Sequence, residues 1–306
     1  MSRLFGSGVE SLPLPEPAFK LLRDLIVEHT GVFFDDGKRL LLADKLSDLA
    51  IDQGLTSFVE YYYLLRYDDQ ADAHWRRLMD RLAVPETFFF RQSEQLDALV
   101  NTIVPMLKQA RGTRPLRIWS AGCCSGEEPL SIAMALDEAG LLEPGAVEIV
   151  ATDGSGMMLD RARRASYGGR AFRQMPDAVR ARYFRPLSDG TWRPIDRLLR
   201  AIHYGLVNLA DHDEVASQPV ADVIFCRNVF IYFSDDAIRR AVHDFEGRLA
   251  DDGYLFLGAA ESLTRLGVSW ELAEVDGSFV YVKPGRRAIV EAAARAWIGS
   301  PAHGRK

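Results

Sequence analysis

The feature that most constrains the fold is a change of pattern at Leu116, after which short apolar runs alternate with amphipathic stretches. Runs with the character of buried strands span residues 116–120, 147–151, 221–226, 253–258 and 278–282. Helix patterns lie between them, at residues 128–139, 159–165 and 234–250. Alternating strands and helices are typical of a mostly parallel sheet covered on both faces. The sequence therefore predicts an α/β domain that binds ligands at the carboxyl ends of its strands.

The part before this domain has a different pattern. In residues 18–84 the apolar residues recur at intervals of three and four, which predicts several amphipathic helices and a small helical domain. Three glycines mark breaks between these helices, and two residues are predicted helix N-caps: Gly31, Gly37 and Gly54, and Thr56 and Asp72. A proline-rich leader, residues 1–17, precedes them.

The remaining boundaries follow from the same reading. Residues 85–115 are predicted to form a linker and the first helix of the α/β part, and residues 116–284 the main domain. An irregular stretch with the hairpin-turn signal Asp189-Gly190 predicts a small antiparallel β-subdomain inserted at about 186–205. Residues 285–306 form a tail with a short helix at 289–297, for which a frayed terminus is expected.

Composition excludes several classes of protein. The net charge of −6 over 306 residues argues against a general nucleic-acid binder. No apolar run approaches the ~18 residues that span a bilayer, so we expect no membrane insertion. Two of the three cysteines are adjacent, Cys123 and Cys124, which predicts a reducing, cytoplasmic setting without a disulfide framework. A monomer is the default expectation.

A glycine-containing turn ends the first strand of the main domain. Gly122 and Gly126 are spaced G-x-x-x-G, and the turn has neither the G-x-G-x-x-G pattern nor the Lys-Ser/Thr ending of a phosphate loop. Glu127 and Glu128 would repel a pyrophosphate but suit a cationic ligand, and Asp153 ends the next strand, where an acid can bind ribose hydroxyls. The pattern favours S-adenosylmethionine over a nicotinamide dinucleotide. A tight turn beside a solvated acid is the structural alternative.

Two further segments carry candidate site residues. Three consecutive phenylalanines cannot all face one core, so at least one should border a cavity, and the following Arg91 could hold a carboxylate with two parallel hydrogen bonds. After the strand 221–226, Asn228 can donate and accept hydrogen bonds, and Tyr232 offers a hydroxyl and a ring face for a sulfonium. Asn208 has an amide suited to an adenine edge. The alternatives are a hydrophobic seam with a surface arginine and an aromatic helix start.

Six segments in a fixed order carry a resemblance to a known family. They are residues 87–91 (TFFFR), 119–129 (WSAGCCSGEEP), 151–153 (ATD), 207–209 (VNL), 225–233 (FCRNVFIYF), and 253–258 (GYLFLG) with Glu261 and Ser262. Together they resemble the chemotaxis receptor glutamate methyltransferase family (CheR-type) over about residues 18–284.

This resemblance implies a Rossmann-like methyltransferase domain with a small antiparallel β-subdomain and an N-terminal all-helical domain. It implies transfer of a methyl group from S-adenosylmethionine to glutamate γ-carboxyls in the cytoplasmic domain of a methyl-accepting chemotaxis or related sensory receptor. In the family, residues that match Arg91 and Tyr232 lie near the transferred methyl. The cofactor-binding residues implied here are Thr87, Arg91, Gly122, Glu128, Asp153, Asn208, Leu209, Arg227 and Asn228.

The sequence departs from the family pattern in three places. Pro85 stands where many members have asparagine, Cys123 and Cys124 replace a commoner cysteine–small residue pair, and the helical domain is net acidic where receptor-docking members carry a basic helix. Residues 1–84 hold ten basic and fourteen acidic side chains. The last departure weakens the prediction that an ordinary chemoreceptor is the target.

Other functions remain open at this point. The chain could methylate a different protein or a small acid, or it could be a non-catalytic sensor of S-adenosylmethionine. The missing G-x-G-x-x-G pattern disfavours a dehydrogenase. Cys123-Cys124 lacks the C-x₂-C spacing of a zinc site, and neither His203 nor His212 has a partnering pattern, so no metal is predicted.

Overall fold

The computed structural model describes residues 11–300, so part of the predicted leader and the end of the predicted tail lie outside the described residues. The N-terminal part is all-helical, with α1 (Glu16–Thr30), α2 (Arg39–Ile51), α3 (Phe58–Tyr67) and α4 (Ala71–Leu82). The apolar faces of these helices pack into one core, whose buried members include Phe19, Leu22, Ile26, Leu46 and Leu78.

The ends of these helices partly follow the predicted signals. Gly31 ends α1 in the left-handed conformation at φ 76°, and its N–H donates to the carbonyl of Val27. The cap of α3 is Ser57, not the predicted Thr56, because the Ser57 side chain and Glu60 form a capping box. Because α4 already begins at Ala71, Asp72 lies in its first turn, where a negative charge favours the helix dipole, and is not its N-cap.

The rest of the chain alternates helices and strands around a large sheet. The elements, in chain order, are α5 (Ser93–Ala98), α6 (Val104–Arg111), β1 (Leu116–Ala121), α7 (Glu127–Glu138), β2 (Val147–Asp153), α8 (Gly156–Arg164), α9 (Asp177–Tyr183), β3 (Phe184–Pro186), β4 (Trp192–Pro194), α10 (Asp196–Arg200), β5 (Ile202–Leu206), α11 (His212–Ala216), β6 (Ala221–Cys226), α12 (Asp235–Arg248), β7 (Leu249–Leu257), β8 (Glu271–Val275), β9 (Ser278–Val282) and α13 (Arg287–Ile298).

The large sheet has the strand order β5-β2-β1-β6-β7-β9-β8. Its first five strands are parallel, and β9 and β8 are antiparallel additions at one edge. Separate hydrophobic clusters cover the two faces. The predicted fold class, a Rossmann-like α/β domain with an all-helical N-terminal domain, is confirmed. From β1 the chain runs to β2 on one side and later to β6 on the other, which opens a crevice at their carboxyl ends.

The predicted β-subdomain is smaller than residues 186–205. Its hairpin pairs Phe184 with Pro194 and Pro186 with Trp192, around a turn in which Gly190 has φ 82°. The stretch that follows is not part of the hairpin. Residues 196–200 form the short helix α10, and β5 joins the large sheet because Ile202 pairs with Ile149 of the parallel strand β2.

The C-terminal helix is longer than predicted and is not a frayed end. It runs from Arg287 to Ile298 and packs against the edge strand β8, with Val290 and Ala294 buried. Trp297 Nε1 donates to the carbonyl of Asn101 at 2.9 Å. The helix therefore covers an edge that would otherwise offer unpaired backbone groups.

Candidate active site

A cavity of about 280 Å³ opens where β1, β2 and β6 end, beneath the helical domain. Its walls include every residue that the sequence singled out as catalytic or cofactor-binding. These are Thr87, Arg91, Gly122, Glu128, Asp153, Asn208, Leu209, Arg227, Asn228 and Tyr232. The structure therefore brings all ten together, while the contact that each makes with a cofactor stays a prediction.

The floor of the cavity is the glycine turn after β1. The N–H groups of Gly122 and Cys123 both donate to the carbonyl of Thr152, at 2.7 and 2.8 Å, which ties this turn to the end of β2. Gly122 has φ 80°, and a Cβ at this position would lie 2.5 Å from Cγ2 of Val229. Only glycine meets both constraints without strain, so the turn brings bare backbone to the cavity.

Asp153 is held rigidly beside this turn. Its carboxylate accepts hydrogen bonds from the backbone N–H groups of Cys124 and Ser155, both at 2.8 Å. Burial raises the pKa of Asp153, and the two N–H groups oppose that shift. Each carboxylate oxygen keeps a further lone pair, which is what a pair of ribose hydroxyls requires.

Glu128 and Arg227 form a buried ion pair across the crevice. Arg227 Nε donates to Glu128 Oε2 at 2.7 Å, and the hydroxyl of Ser120 donates to Glu128 Oε1 at 2.6 Å. Arg227 Nη1 donates to the carbonyl of Arg91 at 2.8 Å and to Gln95 Oε1 at 3.0 Å. Because its guanidinium is occupied by protein groups, Arg227 orients Glu128 and the backbone at Arg91.

Arg91 lies at the open side of the cavity. Its Nη1 donates to the carbonyl of Glu86 at 3.0 Å, and its guanidinium carbon is 5.5 Å from the ring centre of Phe88. Phe88 lines the cavity and Phe89 is fully buried in the main core, as three consecutive phenylalanines require. Arg91 is half-buried, and among the described residues its side chain donates only this one hydrogen bond, so further N–H groups are available to a carboxylate.

Tyr232 stands at the same rim and joins the two domains. The N–H of Phe33 donates to the carbonyl of Tyr232 at 2.8 Å, and the N–H of Ser234 donates to the carbonyl of Gly31 at 3.0 Å. Burial raises the pKa of Tyr232, which outweighs the opposing effect of Arg91, so its hydroxyl is neutral near pH 7. The helical domain therefore contacts the rim through backbone hydrogen bonds.

Asn208 also contacts the helical domain. Its Nδ2 donates to the carbonyl of His29 at 2.5 Å, its Oδ1 accepts from the N–H of Ala210 at 3.1 Å, and its own N–H donates to Glu214 Oε2 at 2.6 Å. Leu209, next to it, is buried. The amide is fixed in orientation, and its hydrogen bond to His29 competes with a contact to an adenine edge.

One residue of the site received no role from the sequence. The carboxylate of Glu261 accepts from the N–H groups of Asn228 and Gly258 through Oε2, at 2.7 and 2.6 Å. Through Oε1 it accepts from those of Phe230 and Ile231, at 2.7 and 3.2 Å. The sequence offered one hint of this role: Glu261 follows the end of a buried strand by a few residues, and the loop at residues 227–234 contains no acid of its own.

The site concentrates unusual backbone conformations. Of the six described non-glycine residues with positive φ, four lie in or beside the cavity walls, and these are Phe90, Gln92, Cys124 and Asn228. Such conformations persist only where the surrounding structure enforces them, and they cluster at functional sites. For Asn228, with φ 61°, the enforcing group is Glu261.

Cys124 lines the cavity and is largely shielded from solvent. Burial raises the pKa of the Cys124 thiol to about 12, so it is not a nucleophile near pH 7. Among residues 11–300, no three His, Cys, Asp or Glu side chains are grouped so that they could hold a metal ion. None of the helices in that range has the length and apolar character to cross a membrane.

Comparison with known proteins decides the family. The family described as "CheR methyltransferase, SAM binding domain" matches residues 85–276, and "CheR methyltransferase, all-alpha domain" matches residues 17–83. The chain belongs to the CheR methyltransferase family. Its cofactor is S-adenosylmethionine, and it is a methyltransferase. The cavity is compatible with this cofactor, because the carboxylate oxygens of Asp153 keep lone pairs that ribose hydroxyls can use.

Curated relatives match along most of the chain. Chemotaxis protein methyltransferase 2 of Vibrio cholerae is 32% identical over 90% of this chain and 96% of its own length. Chemotaxis protein methyltransferase 1 of Pseudomonas aeruginosa is 34% identical over 86% of this chain and 96% of its own. The probable biofilm formation methyltransferase WspC of Pseudomonas putida is 36% identical over 78% of this chain and 57% of its own.

Proposed function

We propose that this CheR-family enzyme methylates the γ-carboxylate of glutamate residues in the cytoplasmic domain of a chemotaxis or related sensory receptor, giving glutamate methyl esters. The observation that carries the proposal is the polarity of the cavity. Acids that suit an adenosyl compound, Asp153 and Glu128, lie at its floor, and the cation Arg91 lies at its rim beside Tyr232. The relatives named for chemotaxis support the sensory target.

The residues present need not remove a proton from the acceptor. A free glutamate with a pKa near ~4.3 is ionised at pH 7, and no histidine is among the described residues that line the cavity. S-adenosylmethionine supplies an electrophilic methyl group. The protein's part is to align the carboxylate with that methyl and to strip water from it.

Arg91 is the residue proposed to orient the acceptor. A guanidinium can hold a carboxylate through two parallel hydrogen bonds. Nη1 of Arg91 is partly engaged by the carbonyl of Glu86, which fixes the plane of the group. Since tight binding of the ground state alone does not speed the step, an arginine that holds one carboxylate oxygen and leaves the other free to react suits the reaction.

Tyr232 is proposed to stabilise the positive charge next to the reacting carbon. Its neutral ring contributes about 0.5–2 kcal/mol to a cation placed over its face. The side chain is 37% exposed, so an acceptor that approaches the rim covers it and removes water from the reacting groups. We propose that the enzyme acts as a monomer in the cytoplasm.

A related sensory target is the second candidate. Two observations favour it: the acidic balance of residues 1–84, and the similarity to a relative named for biofilm formation. A sensory protein that acts in biofilm formation would present the same chemistry, a glutamate on a cytoplasmic segment.

The test uses tritiated S-adenosylmethionine with purified cytoplasmic domains of receptors from the source organism. We expect base-labile label, released as methanol, and mass spectrometry that maps +14 Da to glutamate. The matched pair of variants is Arg91→Ala, expected to lose most transfer, and Arg240→Ala on the exposed face of α12, expected to retain it. Label on another residue type, or none with any receptor domain, contradicts the proposal.

A further inference from the structure

The charge of the chain reverses in one segment. The whole protein carries a net charge of −6, yet residues 161–200 contain eleven arginines, no lysine and three aspartates. This segment runs from the end of α8 through the hairpin to α10. The overall composition does not predict such a basic segment, so its charge points to a specific role at this place in the structure.

Four of these arginines line one groove beside the active site. The groove has a volume of about 840 Å³ and lies between residues 85–87 and residues 166–173. Its cations are Arg161, Arg164, Arg170 and Arg173, and we call it the arginine groove. The side chain of Arg170 is 92% exposed. An occupant can therefore meet several guanidinium groups at once.

Three acids line the groove, and none of them pairs with Arg161 or Arg164. Glu127 is buried, and its carboxylate accepts from the hydroxyl of Ser125 at 2.7 Å. Glu86 pairs with Arg173 at 2.6 Å and lies 3.9 Å from Arg170. Asp189 is engaged by the N–H and hydroxyl of Thr191. Neither Arg161 nor Arg164 forms an ion pair with a carboxylate of residues 11–300, and the contact recorded for Arg161 is with the sulfur of Met157. Both remain available to carboxylates from outside.

The adjoining hairpin adds two arginines in an unfavourable arrangement. Arg185 lies directly opposite Arg193 across the β3–β4 pair, and both are exposed. Like charges in directly opposite positions destabilise a strand pair. Arg193 Nη1 donates to the carbonyl of Arg164, which joins the hairpin to the groove. A nearby anionic partner would offset this repulsion.

The arginine groove adjoins the reacting end of the enzyme. Glu86 and Thr87 line both the groove and the cofactor cavity, so residues 85–87 separate the two. Arg173 lies 3.6 Å from the ring centre of Phe88, whose other neighbour is Arg91. A segment that enters the groove therefore passes close to the group proposed to hold the acceptor.

We propose that the arginine groove binds acidic side chains of the methylated protein, on residues that flank the glutamate to be modified. This inference rests on the proposed function and adds to it a rule for selecting sites. Guanidinium groups recognise carboxylates in bidentate geometry, which favours acidic protein segments over a diffuse anionic surface. Glutamates in acid-rich segments are then modified in preference to isolated ones.

The test measures binding to the full chain by fluorescence anisotropy, with S-adenosylhomocysteine present. The probes are two fluorescein-labelled 20-residue helical peptides, which share one central glutamate and differ in four flanking residues, glutamate or glutamine. We expect the wild type to bind the acid-rich peptide at least about tenfold tighter, and the double variant Arg161→Glu with Arg164→Glu to lose that preference. Arg240→Glu on α12, an equal exposed charge reversal, should keep it.

A second double variant, Arg161→Gln with Arg164→Gln, removes the two charges without reversing them and is therefore less prone to misfold. It should lose about three- to tenfold in affinity for the acid-rich peptide. An unchanged preference in a folded variant overturns the proposal. So does binding of a 20-base-pair DNA or of phosphatidylglycerol vesicles through the same arginines at equal affinity. Because the readout is binding, its failure leaves receptor methylation intact, whereas failure of the proposed function shows as absent methyl transfer.

Discussion

Replacing Glu261 with glutamine tests whether one carboxylate fixes the loop that carries Asn228 and Tyr232. The change keeps the size of the side chain but turns one oxygen into an NH₂ group. That group then faces two backbone N–H donors, so two of the four hydrogen bonds are lost. Hydrogen bonds to a charged group contribute about 1.5–3 kcal/mol each, which gives a gross loss of about 3–6 kcal/mol.

The net loss is smaller because Glu261 is only half-buried. Water can replace part of the lost bonding, and we expect the free energy of unfolding to fall by about 2 kcal/mol. Without Oε2, the left-handed conformation of Asn228 is no longer enforced, and the loop samples other conformations. Affinity for S-adenosylhomocysteine should therefore fall about tenfold, which corresponds to 1.4 kcal/mol.

The assays are thermal unfolding and isothermal titration calorimetry with S-adenosylhomocysteine, the latter well below the unfolding temperature. Glu274→Gln on β8 removes an equal charge from an exposed position and should change neither quantity. Glu261→Asp keeps the charge but is one methylene shorter, so an intermediate loss is expected. If Glu261→Gln matches the wild type in stability and affinity, the carboxylate does not organise this loop.

Three further changes have expected outcomes. Arg91→Ala should lower the turnover of methyl transfer at least about hundredfold, read by single-turnover kinetics at saturating cofactor; near wild-type turnover would defeat its role. Asp153→Ala should weaken cofactor binding about 10–100-fold, because the hydrogen bonds expected from two ribose hydroxyls are lost. An unchanged affinity by calorimetry would contradict the proposed role of Asp153. Gly122→Ala should cost about 2 kcal/mol of stability in denaturant unfolding, because it combines positive φ with a clash. Adding Val229→Ala should recover part of this loss, and no recovery would show that backbone strain dominates.

The sequence predicted the fold where patterns are local. The strands 221–226 and 278–282 were placed at their observed bounds, because each is a short, mostly apolar run that can be recognised without reference to distant residues. Strand β8 was missed. Its sequence ELAEV carries two glutamates, and only Ala273 and Val275 are buried, so it lacks the continuous apolar run of a buried strand. Strand β5 was placed in the hairpin, because its place beside β2 depends on pairing with residues far away in sequence.

The site was predictable as a set of residues but not as a set of contacts. Positions at strand ends follow from topology, and all ten candidates line one cavity. The partners of those residues come from other elements. Arg227 engages Glu128 and the backbone of Arg91, and Asn208 engages the carbonyl of His29. Glu261 is the sharpest case, since its role depends on four N–H groups that no sequence pattern reveals.

The backbone hydrogen bonds between residues 31–33 and 232–234 tie the helical domain directly to the rim of the cavity. A displacement of α1 would be transmitted to Tyr232 through residues 31–33, without a flexible linker between them. We therefore expect the binding of a target at the helical domain to be coupled to the position of Tyr232. We expect a target that binds poorly to the helical domain to misplace Tyr232 as well, so that methyl transfer to it is slow.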